Sequence, residues 1–239
     1  MKVNQAICFN VLEILSMSFS FTCFESCKRL FYTINGDIYD RNKGSISFIA
    51  KSRPWIDKNQ MSPMLPISFE ARDGLVVNGY ITIPKNSDGK NLPLIVNPHG
   101  GPNARDYWGY NPEHQFFASR GYAVLSMNFR GSTGYGRKHV KEANRQWGRK
   151  MQDDVTDSVL WAVEQGIADP DRIAIFGGSY GGYATMAGLT FTPDLYAAGI
   201  NYVGVVDLEL LQEDSNRNSR RFGGFYDELR LEWLSLIHI

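Results

Sequence analysis

From Pro66 onward the apolar positions of the chain fall into short runs that alternate with helical stripes. Residues 67–72 and 75–83 flank Asp73-Gly74, a turn pair, and predict an antiparallel hairpin. Residues 92–97 and 122–128 are apolar runs of strand length, the pattern of strands buried on both faces. Between them, 113–119 predicts a helix with Phe116 and Phe117 inward and Gly121 ending it. Val155, Val159 and Val163 recur at i, i+4 and i+8, which predicts a second helix, with Asp153 or Asp154 as its cap and Gly166 closing it. Asp169-Pro170-Asp171 reads as a turn, 172–176 as a buried strand, 181–189 as a helix of small residues and 197–203 as a further parallel strand. Strand and helix in alternation predict an α/β fold, a mostly parallel sheet covered by helices.

Before Pro66 the pattern differs. Residues 1–30 are rich in Phe, Ser and Cys, with no period. Residues 32–41 carry an Asn35-Gly36 turn signal between β-prone residues, and 45–50 alternate again, which predicts a hairpin from an all-β unit. Prolines at 54, 63 and 66 punctuate a connection to the hairpin at 67–83.

Composition narrows the partners. Lys plus Arg and Asp plus Glu both number 25 in 239 residues, so the net charge is zero and nothing favours nucleic acid or an anionic membrane. The expected partner is small or peptidic, with oligomeric state open. Cys8, Cys23 and Cys27 are an odd set at one end, which is neither a disulfide framework nor a zinc set. Residues 3–24 resemble a signal peptide in part, but Glu13 interrupts them and no small-residue cleavage site stands out, so the cytoplasm is favoured over secretion.

The chemistry concentrates in Gly177-Gly178-Ser179-Tyr180-Gly181, a G-x-S-x-G pentapeptide between a buried strand and a small-residue helix. In a nucleophile elbow the serine occupies a strained strand-to-helix turn, and glycines such as Gly177 and Gly181 let neighbouring backbones approach. A glycine-rich turn with a solvated serine would share these letters; the flanking strand and helix favour Ser179 as the nucleophile. The elbow of an α/β-hydrolase draws one oxyanion N–H from the residue after the serine, here Tyr180, and another from the loop after an earlier strand. Asn97-Pro98-His99-Gly100-Gly101-Pro102 comes directly after such a strand, so Gly101 is the second expected donor, supported by Gly100. His99 is expected to brace this loop by hydrogen bonding, because the general base of this fold comes after the serine in the chain. The Gly-rich stretch 130–136 is assigned to architecture, with Arg130 pairing an acidic neighbour.

Together Asn97–Pro102, Asn128-Phe129-Arg130-Gly131-Ser132-Thr133-Gly134-Tyr135-Gly136 and Gly177–Gly182, in that order, resemble the prolyl oligopeptidase family of serine peptidases, in particular its acylaminoacyl-peptidase and dipeptidyl-aminopeptidase-like members. Gln146-Trp147-Gly148 and Gln152-Asp153-Asp154 share the likeness. The resemblance implies a β-propeller joined to an α/β-hydrolase domain, cleaving short peptides by acyl transfer without metal or organic cofactor. It implies an unassigned segment at 1–30, propeller strands and linker at 31–63, an incomplete peptidase domain at 64–207 ending after about its sixth strand, and a non-family tail at 208–239. The family's triad acid and histidine have no counterpart here. Of four histidines, His99, His114 and His139 precede Ser179, and His238 lies in Leu-Ser-Leu-Ile-His-Ile, which resembles a translated adapter. Asp207 is a weak candidate for the acid. The expectation is a truncated and inactive serine peptidase. The alternatives are a carboxylesterase or lipase on the same fold and a non-catalytic binding module.

Overall fold

The computed structural model describes residues 5–8, 35–40, 43–51, 53–211 and 213. The tail with His238, and Cys23 and Cys27 of the N-terminal segment, lie outside the described residues. The chain divides into two compact units, one of residues up to Met61 with Gly109–Asn111, the other of 62–108 with 112 onward.

In the first unit, β1 (Gln5–Cys8), β2 (Asn35–Asp40) and β3 (Ser45–Lys51) form an antiparallel sheet in that order. The expected hairpin is β2–β3, but its turn is not Asn35-Gly36. That pair lies inside β2, beside a register shift between Gly36 and Asp37. The chain reverses before Gly44, whose φ of 60° suits a residue without a Cβ.

The second unit holds β4 (Met64–Glu70), β5 (Val76–Thr82), β6 (Leu92–Val96), β7 (Ala123–Asn128), β8 (Ala168–Gly178) and β9 (Ala198–Tyr202), in the order β4-β5-β7-β6-β8-β9. β4 and β5 form the predicted hairpin around Asp73-Gly74, and β5 pairs antiparallel with β7. The pairings β7–β6, β6–β8 and β8–β9 are parallel. This is a mostly parallel α/β-hydrolase sheet. All six side chains of β7 are buried although successive ones point to opposite faces, so this strand is covered on both sides.

The helices are α1 (Pro112–Ala118), α2 (Arg137–Lys141), α3 (Lys150–Glu164) and α4 (Tyr180–Phe191). The core joins Val77, Leu94, Leu125 and Ile175 of the sheet to Val155 and Val159 of α3. Two local expectations fail. Phe116 is 52% exposed, because α1 turns His114, Gln115 and Ala118 inward instead. Neither Asp153 nor Asp154 caps α3, which begins one turn earlier behind Arg149. Asp154 instead lies buried within the helix, claimed by a distant partner. Asp169-Pro170-Asp171 is an excursion within β8. Leu92 pairs with Ala168 and Leu94 with Ile173, so residues 169–172 loop out of register. Among the described residues no helix is long and apolar enough to cross a membrane.

Candidate active site

Ser179 sits between the last residue of β8 and the first of α4 with φ 56° and ψ −119°. A side chain rarely occupies this region, and the strain costs roughly 1–3 kcal/mol. The backbone is held there from both sides: Ser179 N–H donates to the Tyr202 carbonyl of β9 at 3.1 Å, and Tyr183 N–H donates to the Ser179 carbonyl at 3.1 Å. Close backbone approach explains the glycines. A Cβ on Gly177 would meet the Gly181 backbone, and one on Gly181 would run into the Pro98 carbonyl oxygen. Thus the start of α4 presses on the loop after β6, and any bulk at 181 would push them apart.

That loop brings 99–101 to the serine. A Cβ placed on Gly100 would stand 3.4 Å from Ser179 Cβ and 4.0 Å from its Oγ. Gly101 has φ 122°, and a Cβ there would press on the amide nitrogens of Asn103 and Ala104. Neither the Gly101 N–H nor the Tyr180 N–H meets an acceptor among the described residues. For Tyr180 the reason is position: the first residue of a helix has no carbonyl one turn back, and the aligned dipoles leave positive charge there.

His99 is locked in place. Its Nδ1 lies 2.7 Å from the Gly100 carbonyl oxygen and its Nε2 2.8 Å from Ser132 Oγ. Its ring stacks on Phe129 with centroids 4.3 Å apart. Burial lowers its pKa to about 4, so the imidazole is neutral at pH 7. Phe129 in turn packs on Tyr180, whose ring is buried against Trp147 and Tyr183. Burial pushes the Tyr180 phenol well above its ordinary pKa, so it stays protonated.

Arg130 anchors the loop after β7. It is buried, and it pairs with Asp154 at 2.7 Å and with Asp73 at 2.9 Å, the acidic partners expected of it. Burial works against its charge, but the hydrogen bonds it donates to these carboxylates outweigh that and hold its pKa above the ordinary range. Asp73, bonded by Arg130, is held well below the usual carboxylate range although partial burial opposes this. Asp207 Oδ1 accepts the Leu210 N–H at 2.8 Å, as a helix cap does. Among the described residues no group of three or more His, Cys, Asp or Glu is placed to hold a metal ion.

The sequence did not single out Ser132 or Asp106. Ser132 lies within a stretch whose Gly-rich composition suggested only a loop. Asp106 lies just beyond the Gly100-Gly101 turn, and burial raises its pKa to about 7 against the opposing charge of Arg105. Its N–H donates to Asn128 Oδ1 at 2.7 Å.

Comparisons with known proteins agree with this fold. Residues 57–152 match the acetyl xylan esterase family. The chain is 45% identical over 180 residues to dipeptidyl aminopeptidase BIII of Pseudoxanthomonas mexicana, covering 72% of this chain and 26% of that protein. It is 37% identical over 192 residues to dipeptidyl peptidase family member 6 of Caenorhabditis elegans, again covering 72% and 26%. The chain therefore spans about a quarter of the length of these relatives. Among solved structures, a puromycin-hydrolyzing peptidase of Mycobacterium tuberculosis superposes with a TM-score of 0.70 at 29% identity, over 83% of this chain and 35% of that one. An acylaminoacyl peptidase in complex with Z-Gly-Gly-Phe-chloromethyl ketone gives 0.67 at 28% identity, over 83% and 31%. Residues 108–230 match the prolyl oligopeptidase family, and with these relatives they establish that the chain belongs to it.

Proposed function

We propose that this chain contributes the nucleophile and oxyanion-binding half of a serine peptidase that cleaves short peptides through an acyl-enzyme on Ser179. The observation that carries the proposal is the strained Ser179 backbone between β8 and α4, with Gly100 lying against its side chain. In the reaction Ser179 Oγ attacks the scissile carbonyl and a histidine base takes its proton. The N–H groups of Tyr180 and Gly101 receive the oxyanion, and water then releases the acyl group. Each such donor is typically worth about 10²–10³ in kcat. In this proposal the six-stranded unit is the peptidase domain and the three-stranded unit belongs to a propeller.

His99 does not serve as the base in this proposal, since the Gly100 carbonyl occupies its Nδ1 and Ser132 its Nε2. His114 and His139 are buried, and His139 Nε2 bonds the Phe129 carbonyl. None of the three histidines among the described residues serves as the base in this proposal, and residues 1–239 by themselves are expected to turn over little substrate, since an enzyme without its triad base typically loses about 10⁶-fold in kcat. The test is a fluorophosphonate probe on purified 1–239 beside Ser179→Ala. Weak labelling that vanishes in Ser179→Ala supports the proposal, strong labelling refutes the inactivity, and labelling that survives in Ser179→Ala refutes the nucleophile.

The match of residues 57–152 to acetyl xylan esterases favours a second reading, an esterase on the same sheet. Rates on p-nitrophenyl esters and aminoacyl anilides, measured on the complete open reading frame that encodes this chain, separate the two.

A further inference from the structure

A peptide between two glycines flips readily, because neither residue restricts φ and ψ. The Gly100–Gly101 peptide is such a bond, and the oxyanion donor proposed above depends on which way it faces. Something must hold it. The Gly100 carbonyl oxygen is 2.7 Å from His99 Nδ1, and a carbonyl only accepts, so Nδ1 carries the proton. Burial keeps the ring neutral, which leaves Nε2 with a lone pair. Ser132 Oγ, 2.8 Å from Nε2, is therefore the donor, and Ser132 is fully buried on the loop after β7. Stacking on Phe129 keeps the ring in the plane both bonds require.

The peptide geometry carries this one step further. The Gly100–Gly101 peptide is trans. In a planar trans peptide the C=O and N–H point in opposite directions. Pinning the Gly100 carbonyl on His99 thus fixes the Gly101 N–H away from His99. The other tautomer would set the Nδ1 lone pair against the carbonyl oxygen and drive the peptide over. That would point an oxygen where the donor belongs.

We propose that Ser132 is a positioning residue: its hydroxyl, bonded to His99 Nε2, holds in place the imidazole whose Nδ1–H, demanded by the Gly100 carbonyl, locks the Gly100–Gly101 peptide with its N–H toward the oxyanion formed at Ser179. The inference rests on the proposed roles of Ser179 and Gly101.

The experiment uses the complete open reading frame that encodes this chain, with an acyl p-nitrophenyl ester as substrate and a peptidyl trifluoromethyl ketone as inhibitor. The ketone's hemiketal with serine bears an oxyanion. Ser132→Ala is expected to lower kcat by roughly tenfold or more, short of the ~10²–10³ of outright donor loss, with KM nearly unchanged. Ketone affinity should fall by a similar factor, and Ser132→Thr should keep wild-type kcat. Nitrogen-15 spectra of wild-type protein should show His99 protonated at Nδ1. A proton on Nε2 there overturns the proposal without recourse to any variant. Ser179→Ala without activity beside Ser132→Ala with wild-type kcat sinks this proposal alone. Full activity in Ser179→Ala sinks the catalytic reading and this proposal with it.

Discussion

Asp154 holds Arg130 three times over: Oδ2 accepts the backbone N–H at 2.8 Å and Nε at 2.8 Å, and Oδ1 accepts a terminal nitrogen at 2.7 Å. One carboxylate in α3 thereby fixes both the backbone and the side chain at the head of the loop after β7. Asp73 in the β4–β5 turn bonds the far side of the same guanidinium and also pairs with Lys150 at 3.0 Å. The cluster ties the hairpin, the helix and the loop bearing Ser132 into one piece.

Asp154→Ala leaves a buried guanidinium with only Asp73 to face. Breaking a buried pair from one side costs about 3–5 kcal/mol, so the urea midpoint should drop sharply. A loss below about 1 kcal/mol would place the pair among weak surface bridges. Arg72, which pairs with Asp153 and Asp157 while half exposed, is the internal control: Arg72→Ala should cost little.

Acid stability should hinge on Asp106. Its Oδ2 is buried without a hydrogen-bond partner among the described residues, and its carboxyl is raised from 3.8 to about 7. A raised carboxyl strengthens the fold as pH falls from 7 toward 4, since the folded chain takes the proton first. His99 and His114 act in the opposite sense. Burial lowers both from 6.5 to about 4, so the unfolded chain is protonated first and stability is lost over that window, by about 3 kcal/mol per imidazole. In the native protein the two effects partly cancel. Asp106→Asn removes the compensation, and its denaturation free energy should fall more steeply from pH 7 to 4 than wild type. Parallel curves would refute the assignment.

Ser179→Gly should raise stability while abolishing labelling by the fluorophosphonate probe. Glycine accepts φ 56° without the steric cost a side chain bears, which is worth roughly 1 kcal/mol here. Thermal melts of Ser179→Gly and Ser179→Ala check this. Equal midpoints for the two variants would mean the turn stores little strain.

Among the described residues β9 is the edge of the sheet, paired only with β8, and it exposes Ile200 at 57% and Tyr202 at 64%. An apolar strand edge of this kind recruits other chains. Light scattering of 1–239 should rise with time at micromolar concentration, and Ile200→Lys should suppress it without altering far-ultraviolet circular dichroism. Indifference to the lysine would show that some other surface drives association.

The parts legible in the sequence were those fixed by neighbours in the chain. The elbow around Ser179 is a local demand for small residues, β6 and β7 announced themselves as runs of apolar positions, and β4 and β5 were marked by the Asp73-Gly74 turn between them. What the sequence hid was tertiary. Asp154 looked like a cap because Arg130, 24 residues away, is invisible to a local window. Asn35-Gly36 carries a strong turn signal, yet the reversal fell nearer Gly44 once β2 found its register with β3. Ser132 sits in a Gly-rich motif that gives it no task of its own, since only the fold brings it to His99, 33 residues earlier. Phe116 went outward because His114 and Gln115 claim interior bonds, His114 with Thr82 and Gln115 with Ser62.

The out-of-register excursion at 169–172 offers a handle. It leaves β8 at the end opposite Ser179, roughly 20 Å along the strand. It is closed on itself by Asp169, which accepts the Asp171 N–H and pairs with Arg172. A dye, an affinity tag or a surface tether spliced in there would lengthen a detour the sheet already tolerates, leaving the chemistry at the far end untouched.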